Sequence, residues 1–348
     1  MKNEIRIILT SVGGLVSPGI MSGLRSNEKC KFRIIGTDME KCAVGFLMAD
    51  SHYVVPPGSE ETLFVEKMLE IAKKERADII IPMSDEEVLT VSKNKKIFEE
   101  NGVKCLCNNY ETTRKCIDKG LLMDFLKSNG VETPRFFLPK SVSELSDAAH
   151  QLGYPDESVI LKPRIGRGTR GVWLLKENFS DEIFKYRGEL KLITLDGMIK
   201  QLENLRHIGN FMLMEYLPGE EFSVDTLSEK GNPLYILPRK RIKTVTGVSQ
   251  SALIENNEIV SRYVTEISRV LSFDSNFNVQ LKYSRSQKLL VYEINPRVSG
   301  TIVANKAAGI DLLLLGILKE LNEDVPRNLN FKSVRMLRYW AESFIDDV

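Results

Sequence analysis

The chain has 348 residues, and its 48 lysines and arginines against 47 aspartates and glutamates leave a net charge of +1. That length is enough for two or three packed units, and a charge near zero argues against a protein that coats nucleic acid or anionic membrane. Apolar residues make up 43% and charged residues 27%, a balance that excludes general disorder.

The N-terminus, MKNEIRIILTSVGG, carries a charge at Glu4 and too short an apolar run for a secretory signal. It reads as a first strand over residues 5–9, followed by a Gly/Ser/Pro turn over 11–19 and a helix. Further strands are predicted at 32–37, 79–81 and 103–107, with a helix at 63–75 whose apolar residues recur at helical spacing. Strands alternating with helices imply a parallel sheet covered on both faces. A glycine turn after the first strand and Asp38 after the second outline a dinucleotide fold. Residues 11–19, SVGGLVSPG, do not match G-x-G-x-x-G, which disfavours an NAD-dependent oxidoreductase.

Residues 109–126 read as a helix and its entry, and Thr133-Pro134 as a break. Beyond it a helix is predicted at 143–152, strands at 159–162 and 172–175, helical material at 182–205, and strands at 211–216, 222–226 and 234–237. The longest apolar run, 312–318, lies between Asp311 and Lys319 and is far too short to cross a bilayer. Five scattered cysteines (Cys30, Cys42, Cys105, Cys107, Cys116) fit a reduced cytoplasmic protein. The three histidines lack zinc spacing, and no G-x-S-x-G elbow is present.

Four segments carry chemistry. Residues 279–284 (VQLKYS) and 289–297 (LLVYEINPR) read as two strands joined by a turn. With the turn centred on Ser286-Gln287, Gln280 faces Glu293 and Asn278 faces Asn295. Opposed residues of an antiparallel pair share a face, with Cβ atoms ~5 Å apart. Hard oxygen ligands with one formal charge suit a Mg²⁺ shared with nucleotide phosphates; a solvated hairpin face is the plain alternative. Arg297 follows as a two-pronged donor. In residues 159–172, VILKPRIGRGTRGV, a strand ends at Lys162 and enters a glycine-rich loop whose amides could approach phosphate oxygens. In residues 212–225, MLMEYLPGEEFSVD, a strand enters a Pro-Gly turn able to offer backbone groups to an adenine, and an acid beyond it could take ribose hydroxyls. Glu221 fits that spacing better than Glu220. The basic run at 238–243, PRKRIK, reads as a solvated charge run or as a cationic wall for phosphates.

In this order these segments resemble the ATP-grasp superfamily, most closely the carbamoyl-phosphate synthetase large-chain type. The resemblance implies an α/β (α+β grasp) fold, a Rossmann-like pre-ATP-grasp domain followed by a two-part grasp with a mobile lid. The expected division is 1–112 and 113–348, with the lid at about 134–212 and the catalytic subdomain at about 213–348. Lys119, in the Ile-Asp-Lys-Gly run, and Lys162 match basic residues that touch nucleotide phosphates. Gly166, Arg167, Gly168 and Thr169 fall in the lid loop. Glu215, Tyr216 and Leu217 match the adenine hinge, and Glu221 the ribose acid. Gln280, Glu293 and Asn295 match the metal ligands, and Arg297 matches the arginine that meets the transferred phosphoryl group. Arg239, Arg241 and Lys243 align loosely with substrate or phosphate contacts.

Gln280 follows the carbamoyl-phosphate synthetase habit, where many relatives carry an acid. The chain has room for one such unit, so carbamoyl phosphate synthesis itself is not carried over. The implied activity is an ADP-forming carboxylate–amine (or thiol) ligase acting through an acyl phosphate. ATP and Mg²⁺, with Mn²⁺ as substitute, are the expected cofactors, and small carboxylates and amines the substrates. Neither nucleic acid nor membrane is an expected partner, and a homodimer is the base-rate assembly. The second reading is a nucleotide-binding accessory or regulatory subunit without turnover.

Overall fold

Near-continuous runs of isoleucine open the chain because their strands are covered on both sides. In the computed structural model, which describes residues 4–166, 168, 170–178, 190–203, 205, 208–245 and 247–345, β1 (Glu4–Leu9), β2 (Lys31–Asp38), β3 (Ser51–Val54), β4 (Ile79–Ile81) and β5 (Lys104–Cys105) form one sheet of order β3-β2-β1-β4-β5. Every pairing in it is parallel. Ile5, Ile7 and Leu9 pack on one side with Ile20 and Met21 of the helix Ser17–Arg25, and Ile8 packs on the other with Phe64 and Met68 of Glu61–Glu75. Alternate residues of one strand thus enter different cores.

The second sheet holds β6 (Phe136–Phe137), β7 (Val159–Pro163), β8 (Trp173–Leu175), β9 (Lys191–Ile193) and β10 (Phe211–Glu215), in order β6-β10-β7-β8-β9. The third is wholly antiparallel. It holds β11 (Glu221–Glu229), β12 (Asn232–Val245), β13 (Val248–Ile254), β14 (Asn276–Tyr283), β15 (Leu289–Asn295) and β16 (Val334–Leu337), in order β15-β14-β11-β12-β13-β16. The apolar run at 312–318 becomes the helix Leu312–Glu320. It packs in one core with Ile7 of the first sheet and Leu227 and Leu237 of the third. Burial of that helix on both sides holds the N-terminal sheet against the C-terminal one.

Several elements differ from the sequence expectation. Residues 109–126 form two helices, Tyr110–Ile117 and Lys119–Ser128. They break at Asp118, whose extended backbone ends the first helix and whose carboxylate caps the second through Gly120 and Leu121 N–H groups. Part of the 182–205 stretch is the strand β9, ahead of a shorter helix, Leu195–Leu202. The strand expected at 234–237 runs on through the basic run, which lies inside the 14-residue β12. The sequence reading contained neither β13 nor the helix Glu258–Leu271, although that helix carries a well-defined apolar stripe through Val260, Val264, Ile267 and Leu271.

Candidate active site

The hairpin β14–β15 places its polar residues side by side. Gln280 pairs with Glu293 and Asn278 with Asn295, the pairing that the sequence implies, but it arises differently. Near the turn the partners are Tyr283 with Leu289, Lys282 with Leu290 and Leu281 with Val291. The turn is therefore centred one half-step earlier, with Gln287 at φ 60° and Ser284 N–H donating to Lys288 O at 2.8 Å. A β-bulge then inserts Tyr292 as an extra residue and restores the register at Gln280 and Glu293.

Asn295 is oriented from beneath. Its Nδ2 lies 3.5 Å from Asn278 Oδ1, and Asn278 Nδ2 donates to Asp225 Oδ1 at 2.8 Å. Asp225 in turn accepts from Arg239 Nη1 at 2.5 Å and from Asn305 Nδ2 at 2.9 Å, all in the buried interior. Arg239 is fully buried and gives a second bond to Ser223 Oγ. This corrects the expectation of a substrate or phosphate contact there: Arg239 neutralises an internal aspartate. The signal was present in the alternation of β11, where Glu221, Ser223 and Asp225 share a face opposite Arg241 and Arg239 of β12.

Three segments close around the hairpin. Asp118 holds Arg164 through two bonds of 3.0 and 2.7 Å, and Arg164 O accepts Lys119 N–H at 3.0 Å. So anchored, Lys119 Nζ donates to Gly166 O at 2.9 Å and lies 3.9 Å from Glu293 Oε1. Lys162 is buried at the end of β7; its Nζ donates to Tyr292 O at 3.0 Å. Burial, reinforced by Lys119 and opposed by Glu293, pulls its pKa down from 10.5 to about 7. Gly168 and Gly171 of the lid loop have φ of 57° and 72°, conformations that favour glycine. Arg167 and Thr169 lie outside the described residues.

The proposed adenine hinge follows β10. Glu215 N–H donates to Arg135 O, and Glu215 Oε1 accepts Arg135 N–H at 2.7 Å. Leu217 is buried, and its N–H has no backbone partner among the described residues. Tyr216 is half-buried, with Lys282 Nζ 5.5 Å from its ring centre. Glu220 and Glu221 separate cleanly. The exposed Glu220 turns to Lys240, whereas Glu221 turns inward to Arg241 and accepts from the Tyr292 hydroxyl at 2.7 Å. Burial holds the Tyr292 phenol well above its ordinary pKa, with Glu221 adding to the effect. Lys243 is exposed, and no hydrogen bond or ion pair ties it to the cluster among the described residues.

Arg297 reaches across to the N-terminal part, where its Nε donates to Asp85 Oδ1 at 3.1 Å; its Nη2 lies 3.3 Å from Asn295 Oδ1. Asp85 follows Ser84, which caps the helix Asp85–Lys93 in a capping box with Glu87. Asp85, Lys119, Glu293 and Asn295 line one small cleft. Residues 84–87 and 297–301 are both expected from the sequence to face the substrate; that Asp85 and Arg297, 212 residues apart, bond directly is read from the structure alone.

The donor set fits a shared Mg²⁺ rather than a caged metal. No group of three His, Cys, Asp or Glu suited to a metal exists among the described residues. One carboxylate and two amides leave room for phosphate oxygens. The N-terminal crevice is different. Asp38 accepts Gly13 N–H at 2.7 Å and Glu40 N–H at 2.9 Å, one on each carboxylate oxygen, so the acid that would take a dinucleotide ribose serves the chain's own backbone.

Residues 207–341 match a family described as ATP-grasp in the biosynthetic pathway with Ter operon, and residues 7–106 match the PylC-like N-terminal domain. The carbamoyl phosphate synthase large chain of Clostridium acetobutylicum is 24% identical over 311 residues, covering 84% of this chain and 27% of that one. The chain spans about a quarter of the length of such relatives. Among solved structures, the biotin carboxylase domain of Hydrogenobacter thermophilus 2-oxoglutarate carboxylase, a dimer in complex with MgADP, ADP and bicarbonate, gives a TM-score of 0.69 at 17% identity, covering 94% of this chain and 73% of that one. The N5-carboxyaminoimidazole ribonucleotide synthetase of Thermotoga maritima gives 0.65 at 20% identity, covering 97% and 82%. The mixed α/β architecture, with its parallel N-terminal sheet, is shared with these ATP-grasp structures. The chain joins a PylC-like N-terminal domain to an ATP-grasp domain and is homologous to the carbamoyl phosphate synthase large chain.

Proposed function

We propose that the chain is an ATP- and Mg²⁺-dependent carboxylate–amine ligase, ADP-forming, with a thiol as the alternative nucleophile. A carboxylate oxygen attacks the γ-phosphorus and ADP leaves; the amine then attacks the acyl carbon, phosphate leaves, and the amine loses a proton. The observation that carries this reading is the convergence of Lys119, Lys162 and Arg297 on the face that holds Gln280, Glu293 and Asn295.

In this reading Lys119, Lys162 and the amides around Gly166 and Gly168 hold the phosphates, with Arg167 and Thr169 assigned to the lid by resemblance alone. Glu215, Tyr216 and Leu217 hold the adenine and Glu221 the ribose. Gln280, Glu293 and Asn295 would hold Mg²⁺, or Mn²⁺ in its place, which would neutralise charge on the transferred phosphoryl group. Arg297 exchanges Asp85 for the substrate carboxylate or the phosphoryl oxygens, and burial around Lys162 excludes water. Residues 1–112 act as the pre-domain and 113–348 as the grasp, with the lid at 134–212 and the catalytic part at 213–348. The proposed assembly is a homodimer, and the proposed substrates are small molecules. No helix among the described residues is long and apolar enough to cross a membrane.

The test is ADP release with a panel of small carboxylates paired with amino acids, other amines and thiols. One or more pairs should release ADP stoichiometrically with phosphate. Tight Mg²⁺-dependent ATP binding with no turnover across the panel would favour an accessory subunit instead.

A further inference from the structure

The Tyr292 hydroxyl lies 2.7 Å from two acceptors, Glu221 Oε1 and Gln280 Oε1. A phenol has one proton and can donate it once. Glu221 is a carboxylate held in place by Arg241, and an ionised acceptor binds the proton more strongly than an amide oxygen. The remaining contact is satisfied only if Gln280 presents its NH₂ to the phenolic oxygen, an amide reversal that leaves heavy-atom positions unchanged. The carbonyl oxygen of Gln280 then lies on the side away from Tyr292.

The bulge is what permits this. Without the extra residue, strand alternation would send Tyr292 and Glu293 to opposite faces. With it, both serve the face on which Gln280 lies. Lys162 holds the bulge by its bond to Tyr292 O. The need is specific to an amide. A carboxylate offers an oxygen whichever way it turns, whereas a glutamine offers a cation either an oxygen or a repelling NH₂.

We propose that Tyr292 is a positioning residue that turns the oxygen of Gln280 toward the metal and couples that orientation to the ribose acid Glu221. The inference rests on the nucleotide and metal sites proposed above. It concerns the assembly of the site and not the bond-making steps.

The test is equilibrium binding of an ATP analogue with an imido bridge between the β- and γ-phosphates, titrated with Mg²⁺, using the full chain and its Tyr292→Phe, Gln280→Glu and doubly substituted forms. Tyr292→Phe should raise the Mg²⁺ concentration for half-maximal binding by about 10-fold, the lower end for loss of a group that orients a metal ligand. The double variant should return close to the Gln280→Glu value, because a carboxylate needs no orientation. An unchanged Mg²⁺ requirement in Tyr292→Phe would overturn the inference alone. So would a weakened Tyr292→Phe that Gln280→Glu does not rescue, since that is a packing defect. No Mg²⁺-dependent binding by the native chain would overturn the proposed function and the inference with it.

Discussion

The chain has two places where a nucleotide could be expected, the crevice at the carboxyl ends of β1 and β4 and the face of the β14–β15 hairpin, and their polar groups are treated in opposite ways. A sheet of order β3-β2-β1-β4-β5 reverses between β1 and β4, the usual ligand position of an open α/β sheet. There the buried Glu87 accepts Thr10 Oγ1 at 2.6 Å, Ser11 Oγ at 2.7 Å and Ser84 N–H at 3.1 Å, and Asp38 is consumed by two backbone amides. Burial raises the Glu87 pKa against those hydrogen bonds. At the hairpin the charges are left short of partners. Lys162 has no carboxylate within 4.0 Å among the described residues, and Lys119 stands 3.9 Å from Glu293. A region whose acids and donors saturate one another is a scaffold. A buried region with unneutralised cations is built for an anion that arrives from outside.

The comparison breaks most visibly at Glu293. Glu293→Gln should lower ADP formation by about 100-fold or more, the scale for losing charge stabilisation at a phosphoryl transfer site, while the thermal midpoint moves little. Near-normal ADP formation would remove the hairpin from the chemistry.

Lys162 sharpens the contrast through pH. Its folded pKa of about 7 lies below the 10.5 of the free side chain. Between those values the unfolded chain binds a proton that the folded chain does not, so this group makes stability rise with pH across that window. Anionic phosphates beside Lys162 raise its pKa again. Nucleotide binding near pH 8–9 should therefore take up as much as about one proton, and far less below about pH 6. Calorimetric titrations in buffers of different ionisation enthalpy measure this, and Lys162→Met should abolish the uptake.

The smallest effect on the site is expected at Glu87. Glu87→Ala leaves Thr10, Ser11 and Ser84 without their acceptor and should cost about 1–3 kcal/mol of stability by denaturant unfolding. ATP affinity should stay within about twofold. A large loss of affinity would make the N-terminal crevice part of the nucleotide site.

Local pattern carried much of this into view from the sequence. Four of the five strands of the first sheet show as short apolar runs, β3 being the exception, and the Gln280–Glu293 and Asn278–Asn295 pairings follow from a turn position and strand alternation, which need only neighbouring residues. Tyr292 was hidden, because a bulge and a shifted turn cancel by the time the chain reaches Gln280. Arg239 was misread because a basic run looks solvated until its partner strand is known, and Asp225 lies in that partner. The Asp85–Arg297 bridge depends on how the N-terminal domain docks, a long-range outcome that no local spacing encodes.

The central claim is that the nucleotide and its metal lie on the hairpin face and not in the N-terminal crevice. The most direct measurement is a crystal structure of the full chain with Mn²⁺ and the imido-bridged ATP analogue, with the metal located by its anomalous scattering. The account predicts a manganese peak within coordination distance of Glu293 and Asn295, with phosphates against Lys119 and Lys162. A metal or nucleotide beside Asp38 and Glu87, with the hairpin face empty, would contradict it.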